Sequence, residues 1–278
     1  MCLTGTIAEQ ILPVAYGQGA NGKNTYWETL SGLMGDYAGE APPDLLIERI
    51  TSEHACEVAD LFGKRLAIAS ETKDGDELRT QMVKRLTGNS RIKARFMRCD
   101  FFEFDRTFKI ILMTNHKPVI REKSNAIWRR IKLIPFSVII PDHEQDKSLG
   151  TKLKDEWPGI LNWLVAGCLE WQEFGLMEPK EVISATANYK NEQRPLDDFF
   201  EECCSFRSNA ITPGNILRDA YDSWSEFQPG GTANAVSPQV FNNALRERGC
   251  RNEVQWYDSK SQRVWIGVDL SSKNTELL

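Results

Sequence analysis

Histidine is scarce in this chain: three in 278 residues, at His54, His116 and His143, scattered too widely for a zinc site. The seven cysteines are odd in number and contain no C-x-x-C pair. That argues against a disulfide framework and suits a reducing compartment; Cys203 and Cys204, adjacent in a helical pattern, read as packing residues. No apolar run approaches the length of a membrane span, and the N-terminus carries no secretory signal pattern. The expectation is a cytoplasmic protein with no membrane partner. Internal repeats and low-complexity stretches are also absent. The formal net charge of −5 would argue against nucleic acid if it were evenly spread, but it is not. Lys84, Arg85, Arg91, Lys93, Arg95 and Arg98 form a run without an acid, while acids gather elsewhere, as in Asp197-Asp198 and Glu201-Glu202. Phosphate binding follows local potential rather than net charge.

What is present begins with Gly17-Gln18-Gly19-Ala20-Asn21-Gly22-Lys23, which fits G-x-x-x-x-G-K. The apolar run Val14-Ala15-Tyr16 leads into it, and a helix-like stretch from Thr25 to Met34 follows. Gly17, Gly19 and Gly22 let backbone N–H groups approach phosphate oxygens, with Asn21 between them. A helix start adds partial positive charge, and Lys23 adds a full one. The expected ligand is ATP with Mg²⁺. Such loops carry Ser or Thr after the lysine; here Asn24 stands there, whose carbonyl oxygen could serve as a metal ligand, with Thr25 free to reach the α-phosphate.

The rest of the chain reads as alternating strands and helices. Apolar runs at 11–16, 65–70, 108–114 and 131–136 read as strands, with Pro13 expected at the first residue of its strand. Residues 77–87 read as a helix, and 147–191 as largely helical. This pattern implies an α/β fold with a largely parallel sheet covered by helices on both faces. Beyond residue 195 the order is three helices and a hairpin, a winged-helix order, with helix starts at Thr212-Pro213 and Ser237-Pro238. The boundaries drawn from these patterns are 1–140, 141–194 and 195–278.

An ATPase also needs a carboxylate, a polar residue near the γ-phosphate and a cation for the transition state. Glu71 ends one apolar strand and could act on water or hold Mg²⁺ through water. Asn115 ends the next. Arg129 and Arg130 precede a third. In the basic segment, Lys93 and Arg95 alternate with apolar residues, as on one face of a hairpin.

With these residues in this order, the chain resembles the helicase part of the phage/plasmid primase family. That group is related to the poxvirus-type primase-helicases, within the superfamily 3 helicases of the AAA+ class. The resemblance rests on Gly17–Thr25, Gly63–Leu66 with Ser70-Glu71, Lys84–Gly88, Thr114–Pro118, Trp128–Ile131 and Ile134-Pro135-Phe136. It implies a P-loop AAA+ core, a helical segment and a winged-helix domain. It implies Walker A contacts from Gly22, Lys23, Asn24 and Thr25, a Walker B acid at Glu71 and a polar sensor at Asn115. It implies a finger at Arg130, or secondarily Arg129, reaching a neighbouring subunit's ATP. The basic segment with Arg91, Lys93, Arg95 and Arg98 would contact single-stranded DNA inside a homo-oligomeric ring, a hexamer. The activity implied is ATP-driven movement on DNA during replication, in a phage, prophage or plasmid context. A primase module and a collar normally precede such a core, so a start at Met1 suggests a split gene or a truncated prophage remnant. A remnant that binds nucleotide and DNA without turnover, or a small-molecule P-loop kinase, would share parts of this pattern.

Overall fold

The computed structural model describes residues 1–42, 44–49, 56, 58–70, 72–122, 124–193, 196–227 and 235–271. The chain divides into two units, Met1–Tyr189 and the residues from Lys190 onward.

The first unit is built on strands β1 (Leu12–Tyr16), β2 (Ala38–Glu40), β3 (Leu66–Ser70), β6 (Lys109–Thr114) and β7 (Ile131–Pro135). They form one sheet in the order β2-β3-β6-β1-β7, parallel throughout. Parallel strands need crossovers, which here include helices α1 (Lys23–Met34), α2 (Thr80–Gly88) and α3 (Asn125–Trp128). Strand residues alternate between two apolar layers. Val14, Ala67, Ala69, Ile110 and Leu112 join the larger core with Met82, Val83 and Leu86 of α2. Ala15, Leu66, Ile68 and Ile111 face the other way, with Trp27 of α1. Burial on both faces explains why these strands read as continuous apolar runs.

Pro13 is the second residue of β1 rather than the first, and β1 is an interior strand. The chain tolerates it by register. Leu12 N–H donates to Arg130 O at 2.7 Å, on the β7 side. Successive N–H groups point to opposite neighbours, so the donor that Pro13 lacks would face β6. Pairing with β6 starts only at Val14.

A hairpin, β4 (Arg91–Ala94) and β5 (Phe102–Asp105), leaves the main sheet between α2 and β6. Its base is held by Arg106, 3% exposed, whose guanidinium donates to Leu86 O, Thr87 O and Asn89 O, each at 2.9 Å. These are carbonyls at the C-terminal end of α2, where a cation also meets the helix dipole. Burial lowers the Arg106 pKa from its ordinary value. The unit continues with α4 (Leu149–Asp155), α5 (Trp157–Phe174) and α6 (Lys180–Gln193) as far as Tyr189.

The second unit has the order α7 (Asp197–Cys203), β8 (Cys204–Pro213), α8 (Gly214–Glu226), α9 (Pro238–Glu247), β9 (Arg251–Tyr257) and β10 (Lys260–Leu270). Its sheet runs β8-β10-β9, antiparallel. Ser237 caps α9, its side chain accepting from Val240 N at 3.4 Å. The Thr212 expectation needs correcting: Thr212 lies inside β8, which ends at Pro213, the N-cap position of α8, and its hydroxyl donates to Val268 O at 2.9 Å instead of capping the helix. Strand β8 itself is not evident from sequence. Its polar interruptions hide the alternation, and a register shift opposite Gly267 (φ 106°) breaks it further. The β9–β10 turn has positive φ at Asp258 (51°) and Ser259 (64°), as a two-residue hairpin turn requires. Cys203, Cys204 and Cys250 lie in the apolar core of this unit, and burial pushes the Cys204 thiol up to about 12.

Candidate functional site

In a parallel sheet, ligands bind outside the carboxyl ends of the strands where the order reverses. Here that point lies at the ends of β1 and β6: the chain leaves β1 towards β2 on one side and reaches β7 on the other. The glycine-rich loop 17–22 joins β1 to α1 at this place. Its shape is held from β7. A Cβ on Gly17 would lie 2.5 Å from Phe136 O, so only glycine fits. Asn21 Nδ2 donates to the same carbonyl at 3.1 Å, and Ile140 N donates to Ala20 O at 2.7 Å. Gly22 is the N-cap of α1 in the left-handed region, φ 75°, and no acid occupies the first turn. The helix start is thus left to its own amides and dipole.

Lys23 opens α1 and is 4% exposed. Its ammonium donates to Gly17 O at 3.0 Å, Thr114 O at 2.7 Å and Asn115 Oδ1 at 2.7 Å. The structure therefore brings Lys23 and Asn115 together across β1 and β6. All three acceptors are neutral. Among the described residues no carboxylate pairs with this cation, and burial lowers its pKa from the ordinary lysine value.

The cleft outside these strand ends has a volume of about 930 Å³. Lys23, Asn24, Ser70, Thr72 and Asn115 line it, and so does Trp27, a residue the motif does not point to. Trp27 is buried and its indole N–H has no partner among the described residues. Glu71 lies outside the described residues. Thr72 Oγ1 bonds His116 O at 2.8 Å and makes a short hydroxyl contact with Thr114, tying the segment after β3 to the end of β6. Glu28, Glu40, Asp44 and Asp74 also border the cleft, and Asp74 lies 4.0 Å from His116. Sequence order offers no signal for Glu40, which reaches the cleft because β2 pairs with β3, or for Glu28, which borders it from α1.

The two arginines differ sharply. Arg130 turns inward, 7% exposed, donating to Ala126 O at 2.6 Å, Thr87 Oγ1 at 3.1 Å and Gln10 Oε1 at 3.3 Å. A Cβ on Gly88 would lie 3.3 Å from its guanidinium, so Gly88 leaves room for it. Arg129 is exposed. In the hairpin, Arg91 faces Asp105 and Glu103 at 3.5 and 3.7 Å, so its charge is locally offset. Lys93 Nζ and Arg95 Cζ each lie 5.0 Å from the Phe101 ring centroid. Arg98 lies in the connection between β4 and β5 at φ 61°. In the second unit, Arg248 is engaged internally, with Asp197 and over the Phe200 ring at 4.3 Å. Among the described residues no group of His, Cys, Asp or Glu is placed to hold a metal, and no helix is long and apolar enough to cross a membrane.

The fold is thus mixed α/β, a parallel sheet core flanked by helices, with a buried lysine at a glycine-rich turn. A family of unknown function, DUF5906, matches residues 15–130, which span that turn, Asn115 and both arginines. The chain is 30% identical over 245 residues to the protein named Putative helicase L207/L206 of Acanthamoeba polyphaga mimivirus, covering 81% of this chain and 25% of that one. It is 25% identical over 246 residues to Putative helicase 022R of Frog virus 3, with the same two coverages, 81% and 25%. It is 30% identical over 140 residues to Primase D5 of fowlpox virus, covering 49% of this chain and 17% of that protein. The chain therefore spans about a quarter of the length of the two viral helicases. Two solved structures of the NrS-1 C-terminal region match 93% of this chain and 66% and 67% of theirs, with TM-scores of 0.51 and 0.52 at 10% identity; they speak to fold alone. The chain is similar to members of the primase-helicase family that its motifs resemble.

Proposed function

We propose that this chain is the ATP-driven helicase core of a replicative primase-helicase, moving on single-stranded DNA. The observation that carries the reading is Lys23: a buried ammonium at a helix start, held among the described residues only by neutral acceptors, beside a polar cleft. A buried cation without a counter-charge is costly, and a polyphosphate in the cleft would supply that charge. Gly17, Gly19, Asn21 and Gly22 would cradle the phosphates, as in a P-loop. Lys23 would neutralise the β- and γ-phosphates. Asn24 and Glu71 would hold Mg²⁺, which neutralises phosphate charge when bound. Glu71 would take a proton from the attacking water, and Asn115 would orient it. The names of the viral relatives support a role in replication.

Hydrolysis between ring subunits would need a cation from the neighbour. Arg129 is the better candidate, because Arg130 is committed to α2 and α3. The second unit would act as a winged-helix module, presenting Asn242, Asn243 and Arg246 of α9 to DNA. Lys93, Arg95 and Arg98 would bind backbone phosphates.

Subunit mixing tests this arrangement. Arg129→Ala should bind ATP, keep its thermal unfolding temperature and lose turnover. Mixing it with Lys23→Ala subunits should restore part of the activity at interfaces that combine an intact loop with an intact arginine. Arg130→Ala should instead lose about 1–3 kcal/mol of stability, read by denaturant unfolding. Full turnover by Arg129→Ala, or a mixture as inactive as its components, would show that the site is complete within one chain.

A further inference from the structure

The two faces of the β4–β5 hairpin carry different chemistry. Register places Ile92 opposite Phe104 and Ala94 opposite Phe102 on one face, with Arg91 opposite Asp105 and Lys93 opposite Glu103 on the other. The apolar face starts in the core, where Phe104 is 4% exposed. Phe102 lies over Phe104 with centroids 5.8 Å apart and planes at 29°. Phe96 lies over Phe102 at 5.3 Å and 16°. Phe62 braces the inner two rings edge-on, at 5.8 and 5.4 Å. Three near-parallel rings thus form a column that leaves the core and stops at Phe96, which is 44% exposed. Its chain neighbours are Arg95 and Met97, with Arg98 two residues on and Lys93 three residues back.

Covering Phe102 needs only an apolar side chain of suitable size. A planar ring, aligned with the column and left half open, offers more: a further flat ring can stack on it. The adjacent cations select an anionic partner. A ligand with flat rings and a repeated negative charge is a nucleic acid, and only an unpaired strand presents free base faces. We propose that Phe96 is a base-stacking platform, on which an unpaired base of a single strand extends the Phe104–Phe102–Phe96 column while Lys93, Arg95 and Arg98 hold phosphates. This rests on the DNA-binding reading above and deepens it: the hairpin grips base and backbone by separate groups.

The two grips respond differently to salt. Phosphate contacts release counterions and steepen the salt dependence by about 0.7 per contact for a single strand, whereas stacking does not. The test is anisotropy of labelled oligothymidylate, and of an abasic strand of equal length, titrated against the full chain at several salt concentrations. Phe96→Leu keeps the apolar cover on Phe102 and removes the ring. It should weaken oligothymidylate binding about 5- to 150-fold, the range expected for one stacked base, with the salt slope unchanged. Binding to the abasic strand should be unaffected, and Phe96→Tyr should behave as wild type. Lys93→Ala should weaken both strands alike and flatten the slope. If Phe96→Leu binds oligothymidylate as wild type does while Lys93→Ala weakens it, the platform is refuted and the phosphate grip stands. If Phe96→Leu binds DNA normally but no longer self-associates in sedimentation, the ring serves a contact between copies and the platform is equally refuted. If wild type binds neither strand at low salt, the DNA reading and the platform fall together.

Discussion

Replacing Lys23 with alanine is expected to lower ATP turnover by about 10²- to 10³-fold, the usual consequence of losing one well-placed donor to developing phosphate charge. Nucleotide affinity should fall as well, because the ammonium is a buried cation at the loop. Fluorescent-nucleotide titration and steady-state hydrolysis read the two losses separately. Lys23 also bridges Gly17 O and Thr114 O, so a folding control is needed. Lys23→Met keeps a buried apolar stem of similar length and removes the charge together with its donors to Gly17 O, Thr114 O and Asn115 Oδ1. It should unfold near the wild-type temperature and still fail to hydrolyse ATP. Normal turnover by Lys23→Met would remove the basis for a phosphate site here.

Glu71→Gln is expected to separate binding from chemistry. The amide keeps the size of the side chain and loses its negative charge and basicity. A general base contributes about 10²- to 10⁴-fold, so turnover should fall by that order while ATP affinity holds or improves. Ser70 and Thr72, on either side of it in sequence, both line the cleft, and Thr72 is anchored to the end of β6. Trapped nucleotide on Glu71→Gln after gel filtration would be the clearest sign. Wild-type hydrolysis by this variant would move the role to another acid at the cleft, with Asp74 first.

Much of the sheet is legible in the sequence, for a physical reason. Strands β1, β3, β6 and β7 are buried on one or both faces and flanked by polar residues, so their apolar runs stand out. Strand β2 has three residues and no such run, and β8 hides behind its polar positions. The hairpin is foreshadowed by alternation at 91–96, but the aromatic column is not. Phe62 lies far from Phe96 and Phe104 in sequence, and nothing local brings them together. The approach of Lys23 to Asn115 follows from chain order plus the parallel pairing of β1 with β6. The choice between Arg129 and Arg130 does not. Adjacent residues on a short turn point different ways, and only packing decides that Arg130 faces α2.

ATP hydrolysis in this chain is expected to be coupled to single-stranded DNA. The most direct measurement is ATP turnover at rising concentrations of protein and of oligothymidylate, with phosphate release followed in the absence of any small-molecule acceptor. Turnover is expected to rise cooperatively with protein concentration, to be stimulated by single-stranded DNA, and to yield one inorganic phosphate per ATP. Nucleotide and DNA binding with no turnover at any protein concentration, or phosphate transferred only to an added small molecule, would contradict it.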